Sequence, residues 1–527
     1  MPTMYDAVIV GGGHNGLVCG AYLAKAGRKV LVLERRKLIG GACVTEESWP
    51  GFKVSTASYV MSLFQPRIIQ ELELKKHGLE VLESTPTFTP ALGNRSIVFW
   101  GDEEKFSREI ALFSKKDAEN YPKYRAALTR LAPMIREVIW DTPPNLSSMK
   151  LAELARTAKF FLKYRKYGPL FYELYDILTM SAYDYLSKWF ESDEMIAALG
   201  YYVQGSGTNA SMKSPATAFT CIRPMVRDNT TEAGPGGFVR GGMGGLTEAI
   251  ARSGRTHGLE IRTDAEVTRI QTQGGRATGV VLRSGEAVQA RCVIANAHAK
   301  TTFLKLLPPE ALPEDFLRDV RNIRSRSTVF KVHLGVTALP QYTSFSAERC
   351  GFAYPIAVRF GDSVSYLEKA FDDVKHGDIS DQPFLTVMVP SLRDETLAPS
   401  GMHLMSLFGG HVAYEADEAR LPGLRAKVLD KALDLIERHA PGFRQHVVHT
   451  EVLTPRDLEL RFDLHGGHVH HGDLTIDQAF FRRPVGGFAD YRTPIKGLYL
   501  ASSSAHPGGG VTGVPGYNAA REILKDL

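Results

Sequence analysis

No Cys-x-x-Cys pair occurs in the 527 residues, and the five cysteines (Cys19, Cys43, Cys221, Cys292 and Cys350) are odd in number and widely spaced. A dithiol–disulfide relay is therefore not expected, and so low a count suits a reducing compartment. No apolar run reaches the roughly 18–20 residues that cross a bilayer as a helix. Nor does a charged and apolar leader precede the first strand-like segment, and there is no room for an Arg-rich transit peptide. The expected location is cytoplasmic. Neither charge sign dominates: 63 Lys and Arg oppose 58 Asp and Glu, mostly interspersed. Nucleic acid would need a concentrated basic face, so it is not an expected partner. Repeats of fixed period and low-complexity segments are absent too.

What remains is ordinary globular composition in a chain too long for one core, so two or three domains are expected. Residues 5–10 read as a buried strand, 14–27 as a helix closed by Gly27, and 29–34 as a second buried strand. From 52 to about 234 the pattern turns helical and aromatic. From 236 to 297 it returns to α/β, with strands at 260–262, 266–272, 277–283 and 292–297. A helix is expected over roughly 420–440. A strand at 497–501 precedes a glycine-rich loop and a helix from about 514.

Gly11-Gly12-Gly13-His14-Asn15-Gly16 is a G-x-G-x-x-G placed after a strand and at the start of a helix. Gly11 makes the tight turn, Gly13 lets backbone touch pyrophosphate, and Gly16 lets the helix pack on the strand. The helix N-terminus offers unpaired N–H groups and a positive dipole to phosphate. Glu34 ends the second strand, where a carboxylate meets the ribose hydroxyls and disfavours a 2′-phosphate. The fingerprint continues through Arg35 to Gly40-Gly41-Ala42, which suits a longer ligand. Gly205-x-Gly207-x-x-Ala210 is the other near-match, but Ser-Met-Lys-Ser-Pro follows it rather than a helix start. With no second nucleotide site, the expected electron acceptor is oxygen, a quinone or another protein.

This extended pattern resembles the FAD-binding glutathione-reductase-like superfamily. Further matches narrow the resemblance: Leu72 to Leu79, Trp189 to Ser192, Gly241 to Gly245, Ala440 to Phe443, Leu453 to Pro455, Gly466-Gly467, Asp477-Gln478, Arg483-Pro484 and Gly497 to Ala520. With these the chain is similar, nearly end to end, to the phytoene-dehydrogenase-like flavoproteins, a group that includes carotenoid isomerases and retinol saturases. Within that group it most resembles the branch named for a pyridine nucleotide-disulphide oxidoreductase domain, mitochondrial in eukaryotes, although the disulphide motif is missing. The resemblance implies FAD as cofactor, with Val267 against the adenine and Ser503, Ser504, Gly510, Val511 and Val514 near the flavin. The stretch Phe52 to Tyr59 departs from the acidic residue and Gly-Pro that carotenoid desaturases carry. Ser502 and Ser504 stand where relatives tend to have glycine.

Candidate chemistry is thinner. His506, beside the C-terminal glycines, and His471 are the candidates for a catalytic role, against an alternative as backbone-bonded or chamber-wall histidines. His14 is expected to touch ligand. His468 and His470 would share a face on a strand, but nothing completes a metal-ligand spacing and no metal is expected. The basic amphipathic stretch 151–167 reads mainly as a helix with one buried face, and alternatively as a peripheral membrane contact. The aromatic cluster 171–190 reads as core before substrate cage.

The resulting expectation is an α/β protein. A Rossmann-like FAD-binding domain of glutathione-reductase or amine-oxidase type spans 1–51, 235–300 and 490–527. A mixed α+β substrate domain, 52–234 and 301–489, is inserted into it. The expected function is FAD-dependent hydride transfer from a small apolar or amphipathic substrate, as a dehydrogenase, desaturase or isomerase. The alternatives are an amine oxidase, or a non-enzymatic flavoprotein that regulates by binding a partner.

Overall fold

Residues 4–84, 86–90, 96–227 and 236–527 are described by a computed structural model. The sequence boundary drawn between 234 and 235 lies outside the described residues.

Apolar, β-branched Tyr5–Val10 forms the centre of a seven-stranded sheet. Val30–Leu33 and then Glu260–Arg262 lie parallel on one side of it. On the other side, Ala287–Ala295 pairs parallel through its second half and antiparallel, through its first, with Arg276–Leu282. Val267–Gln273 completes that meander, and Leu498–Leu500 adds a parallel strand beside Ala287–Ala295. The helix His14–Lys25 packs against Gly244–Thr256 and Val514–Asp526. Covered strands of this kind read as continuous apolar runs, which is why they are visible in the sequence. Their shared core also takes in Phe64, Ile68, Phe303 and Phe316, which fall in segments expected to belong to the inserted domain.

A second sheet of seven strands runs in the order Val447–Leu453, Val329–Val336, His403–Val412, Ile379–Met388, Ala357–Phe360, Thr87–Pro90, Ser96–Phe99. Val329–Val336 is buried at every position, because both faces are covered. The helix Leu421–His439 covers one face. A helical layer that includes Lys115–Val138 and Asp193–Gly205 covers the other.

Two local expectations fail. His468 and His470 do not share a strand face, because residues 466–472 form turns in which Gly466, Gly467, His471 and Gly472 take positive φ. The helix Leu151–Tyr164 forms as expected but has no buried residue. Leu151 is 85% exposed, Phe161 54% and Leu162 60%. Its apolar stripe therefore faces outward.

Candidate functional site

The glycine loop is held from three sides. Gly11 donates its N–H to Leu33 O at 2.8 Å, and Gly40 donates to Gly12 O at 2.8 Å. Asn296, one residue past the strand Ala287–Ala295, donates from Nδ2 to Gly11 O at 3.0 Å and Gly13 O at 3.4 Å. Gly16 has no room for a side chain: a Cβ would fall 2.5 Å from Gly11 O. A Cβ on Gly41, at φ +57°, would meet Gly13 Cα at 3.1 Å. The loop thus leaves bare backbone facing a cavity of about 880 Å³, whose wall includes Gly11, Gly13, His14, Asn15, Gly41 and Ala42.

Those residues fit a flavin dinucleotide. The helix His14–Lys25 has neither a side-chain cap nor an acidic residue in its first turn, so its N-terminal amides and dipole are free for phosphate. Asn15 Oδ1 is buried without a partner, while Asn15 Nδ2 donates to Ser503 Oγ at 3.3 Å. Glu34 accepts from Gly12 N–H at 2.8 Å and Arg36 N–H at 2.9 Å, which aims its carboxylate along the cavity wall. Arg35 and Val267 line the same end.

The far end is a chamber. Val60, Leu63, Met388, Phe408 and Val469 give it apolar walls, and Tyr59, Tyr202, Arg223 and Arg359 supply polar groups. Gly510 and Val511 lie on the wall with Ser503 and His471. Arg483 braces this wall from behind. Its guanidinium donates to Ser503 O at 2.9 Å, to His470 O at 2.5 Å and to Gln478 O at 3.1 Å.

Gly16, Gly40, Ser504 and Val514, expected to touch cofactor, do not line the cavity. Gly16 and Gly40 shape the loop instead. Ser504 Oγ accepts from Ala299 N–H at 3.0 Å and pairs with His471 Nδ1 at 3.2 Å. The Val514 amide is taken up by Thr512 Oγ1. His506 is not in the chamber either: its Nε2 pairs with Val138 O at 3.0 Å. It is therefore withdrawn as a catalytic candidate. His471 does reach the wall, and burial pushes its pKa down to about 3, so at neutral pH its ring is uncharged. His14 is likewise pushed down to about 4 by burial. His468 pairs with Asp473 Oδ1 at 3.2 Å and His470 Nε2 with Arg223 at 2.9 Å. Among the described residues no group of three or more His, Cys, Asp or Glu could hold a metal ion.

Residues 16–341 match the family described as flavin containing amine oxidoreductase. The chain belongs to that family. It is accordingly a flavin enzyme of the oxidoreductase class, with the α/β fold expected. Along 99% of its length this family member is 38% identical to pyridine nucleotide-disulfide oxidoreductase domain-containing protein 2 of Rattus norvegicus, of which 94% is covered. It is 27% identical to one of the limonene dehydrogenase polypeptides of Castellaniella defragrans, over 99% of the chain and 95% of that protein. It is 26% identical to the chloroplastic prolycopene isomerase of Daucus carota, over 99% and 80%. The crystal structure of an oxidoreductase from Methanosarcina mazei is superposable with a TM-score of 0.61 at 18% identity, covering 98% of this chain and 99% of that one. The likeness to that structure shows the fold alone.

Asn296, Arg223, Tyr202 and Arg359 are not singled out by the sequence, and each comes from a segment with no motif of its own; Arg483 enters only through the Arg483-Pro484 match, with no role attached to it. Only Asn296, just beyond a buried strand that had to lie beside Tyr5–Val10, carried a usable signal.

Proposed function

We propose that the protein binds FAD and moves hydride between the flavin and a small apolar or amphipathic molecule, as a dehydrogenase or desaturase, or as an isomerase. The observation that carries this reading is one continuous cavity joining the glycine loop and Glu34 to the chamber of Val60, Met388 and Phe408. A wall that runs past Glu34 and Arg35 to Val267 supports a dinucleotide over a shorter flavin. The names of two relatives, a limonene dehydrogenase and a prolycopene isomerase, support an apolar substrate and both reaction outcomes.

Bound flavin supplies the redox chemistry. The chain's own part is position and dryness. Apolar walls keep water from the reacting bond, Asn15 and Ser503 tie the two sides of the cofactor site together, and Arg483 fixes the wall that carries Ser503 and His470. His471, neutral and bonded to Ser504, offers a polar contact without a charge. Gly205 closes the helix Asp193–Gly205 and opens no second βα turn, so the proposed acceptor is oxygen, a quinone or a protein. We also propose a cytoplasmic location in which the exposed helix Leu151–Tyr164 rests on a membrane surface.

The test is anaerobic. The purified protein is checked for absorbance near about 450 nm, its released flavin is identified, and pools of apolar lipids, polyenes and amines are added. FAD that bleaches with a lipid or polyene pool is the expected result. Bleaching by amines alone would move the reading to an amine oxidase. Failure to take up FAD, even after refolding with excess, would overturn it.

A further inference from the structure

Two guanidinium groups line the chamber without a carboxylate partner. Arg359, on the strand Ala357–Phe360 of the second sheet, lies among aromatic faces. Its guanidinium carbon is 5.2 Å from the ring centre of Tyr201, 5.1 Å from that of Tyr202 and 5.8 Å from that of Phe99. Nη2 makes one long bond, 3.4 Å, to Tyr202 OH, and Nε is buried with no hydrogen-bond partner. Arg223 donates to His470 Nε2 at 2.9 Å and to Gly509 O at 3.5 Å, and burial pushes its pKa down to about 10. Neither arginine forms an ion pair among the described residues.

Arg324, by contrast, is paired with Asp477 at 2.7 Å, and the buried Arg483 is bonded to backbone carbonyls. Both chamber arginines are half-buried, and a guanidinium drawn partly out of water without a counterion loses hydration that aromatic faces and neutral acceptors replace only in part. The acidic residues on the cavity wall are Glu34, Glu266 and Asp463. All belong to the dinucleotide end: Glu266 adjoins Val267, and Asp463 faces Thr301, Arg35 and Lys305. The chamber is therefore positive with no internal counterion. Tyr202 feels this: its phenol pKa is lowered, first by Arg359 and then, more weakly, by Arg223.

We propose that the chamber recognises an organic acid, with its apolar body against Met388, Phe408 and Val469 and its carboxylate held by Arg359 with Tyr202. Arg223 adds a second positive charge from the Gly509 side. A planar carboxylate suits a guanidinium donor, and Nη2 with the Tyr202 hydroxyl, 3.4 Å apart, is the accessible pair that would meet it. The same field works against a cationic amine. The cofactor's own phosphates are not the anion concerned, since their cradle is the glycine loop of the other sheet. This inference rests on the chamber being the substrate's, as in the proposed function.

The test uses the flavin-loaded protein and matched straight-chain probes of about six to twelve carbons: carboxylates, alcohols and primary amines of equal length. Binding is read by calorimetry and by the flavin difference spectrum. Carboxylates are expected to bind roughly tenfold or more tighter than the alcohols, and amines weakest. Arg359→Gln should abolish the carboxylate preference while leaving alcohol affinity and flavin content unchanged. Arg359→Lys should restore part of it. Tyr202→Phe, a milder change, should reduce it. Equal or tighter binding of alcohols or amines to the unaltered protein overturns the proposal without reference to any variant, as does the absence of carboxylate binding across the series. Loss of flavin in Arg359→Gln would assign the residue to the cofactor and also overturn it. Protein that takes up no flavin at all would instead sink the flavin reading, and carboxylate preference would still be read by calorimetry.

Discussion

The Gly12 amide donates to Glu34 Oε2 at 2.8 Å, so the tip of the glycine loop and the end of the second strand are set by one carboxylate. Glu34 has a second task if a ribose lies against it. Glu34→Gln keeps one oxygen for Gly12 but loses the charge, and FAD affinity should fall by roughly tenfold or more, the value of a hydrogen bond to an ionised group. Quenching of flavin fluorescence on binding to apoprotein measures it. Unchanged affinity would remove Glu34 from the ribose.

Gly16→Ala tests the loop itself. The added methyl must push against Gly11 O and Asn296, each under 3.0 Å from its carbon. Overpacking of this kind costs about 1–3 kcal/mol. A lower melting temperature together with substoichiometric flavin is expected. Full flavin content at unchanged melting temperature would mean that the helix and loop can separate freely.

Acid should destabilise the protein well above the carboxylate range. Burial lowers the folded pKa of His14 and His506 to about 4 and of His411 and His471 to about 3, against about 6.5 in the unfolded chain. Above pH 6.5 both states are neutral and this stability is fully present. As pH falls from 6.5 towards 4 the unfolded chain takes up protons that the folded one refuses. Each ring then removes up to about 1.4 kcal/mol per pH unit. Urea midpoints at pH 7.0, 6.0 and 5.0 check this, and His506→Gln should flatten the slope. A midpoint that rises on acidification would contradict it.

The helix Leu151–Tyr164 carries Lys159, followed by Arg165, and neither has an ion-pair partner among the described residues. With exposed Leu151, Phe161 and Leu162 they suit an anionic bilayer. Sedimentation with vesicles containing phosphatidylserine should exceed that with neutral vesicles, and Phe161→Asp with Leu162→Asp should abolish it without loss of flavin. Equal binding to both vesicle types would exclude the electrostatic part of this contact.

How much of this could be read in the chain depended on whether one segment sufficed. The cofactor end was legible because Gly11 to Gly16 and Glu34 form a local unit in which each residue type answers a backbone need. His506 misled because proximity in sequence to the C-terminal glycines is not proximity in space: a turn sends its ring to Val138. Amphipathic spacing in 151–164 specified a helix but not which side would turn inward: Phe160 meets Phe481, while Leu151, Phe161 and Leu162 stay exposed. Arg223 and Arg359 sit in unremarkable sequence surroundings, and only the folded chain brings them to the wall of one cavity.

Asn15 and Ser503 meet side chain to side chain, yet 488 residues separate them. On the ribosome, then, the phosphate loop is made first and has to wait for its opposite wall. The chamber cannot close around a flavin until Ser503, Gly510 and Val511 have emerged, so cofactor capture belongs to the finished polypeptide rather than to the growing one. A premature stop anywhere in the second sheet would leave a fragment with an intact glycine fingerprint and no means of retaining what it binds.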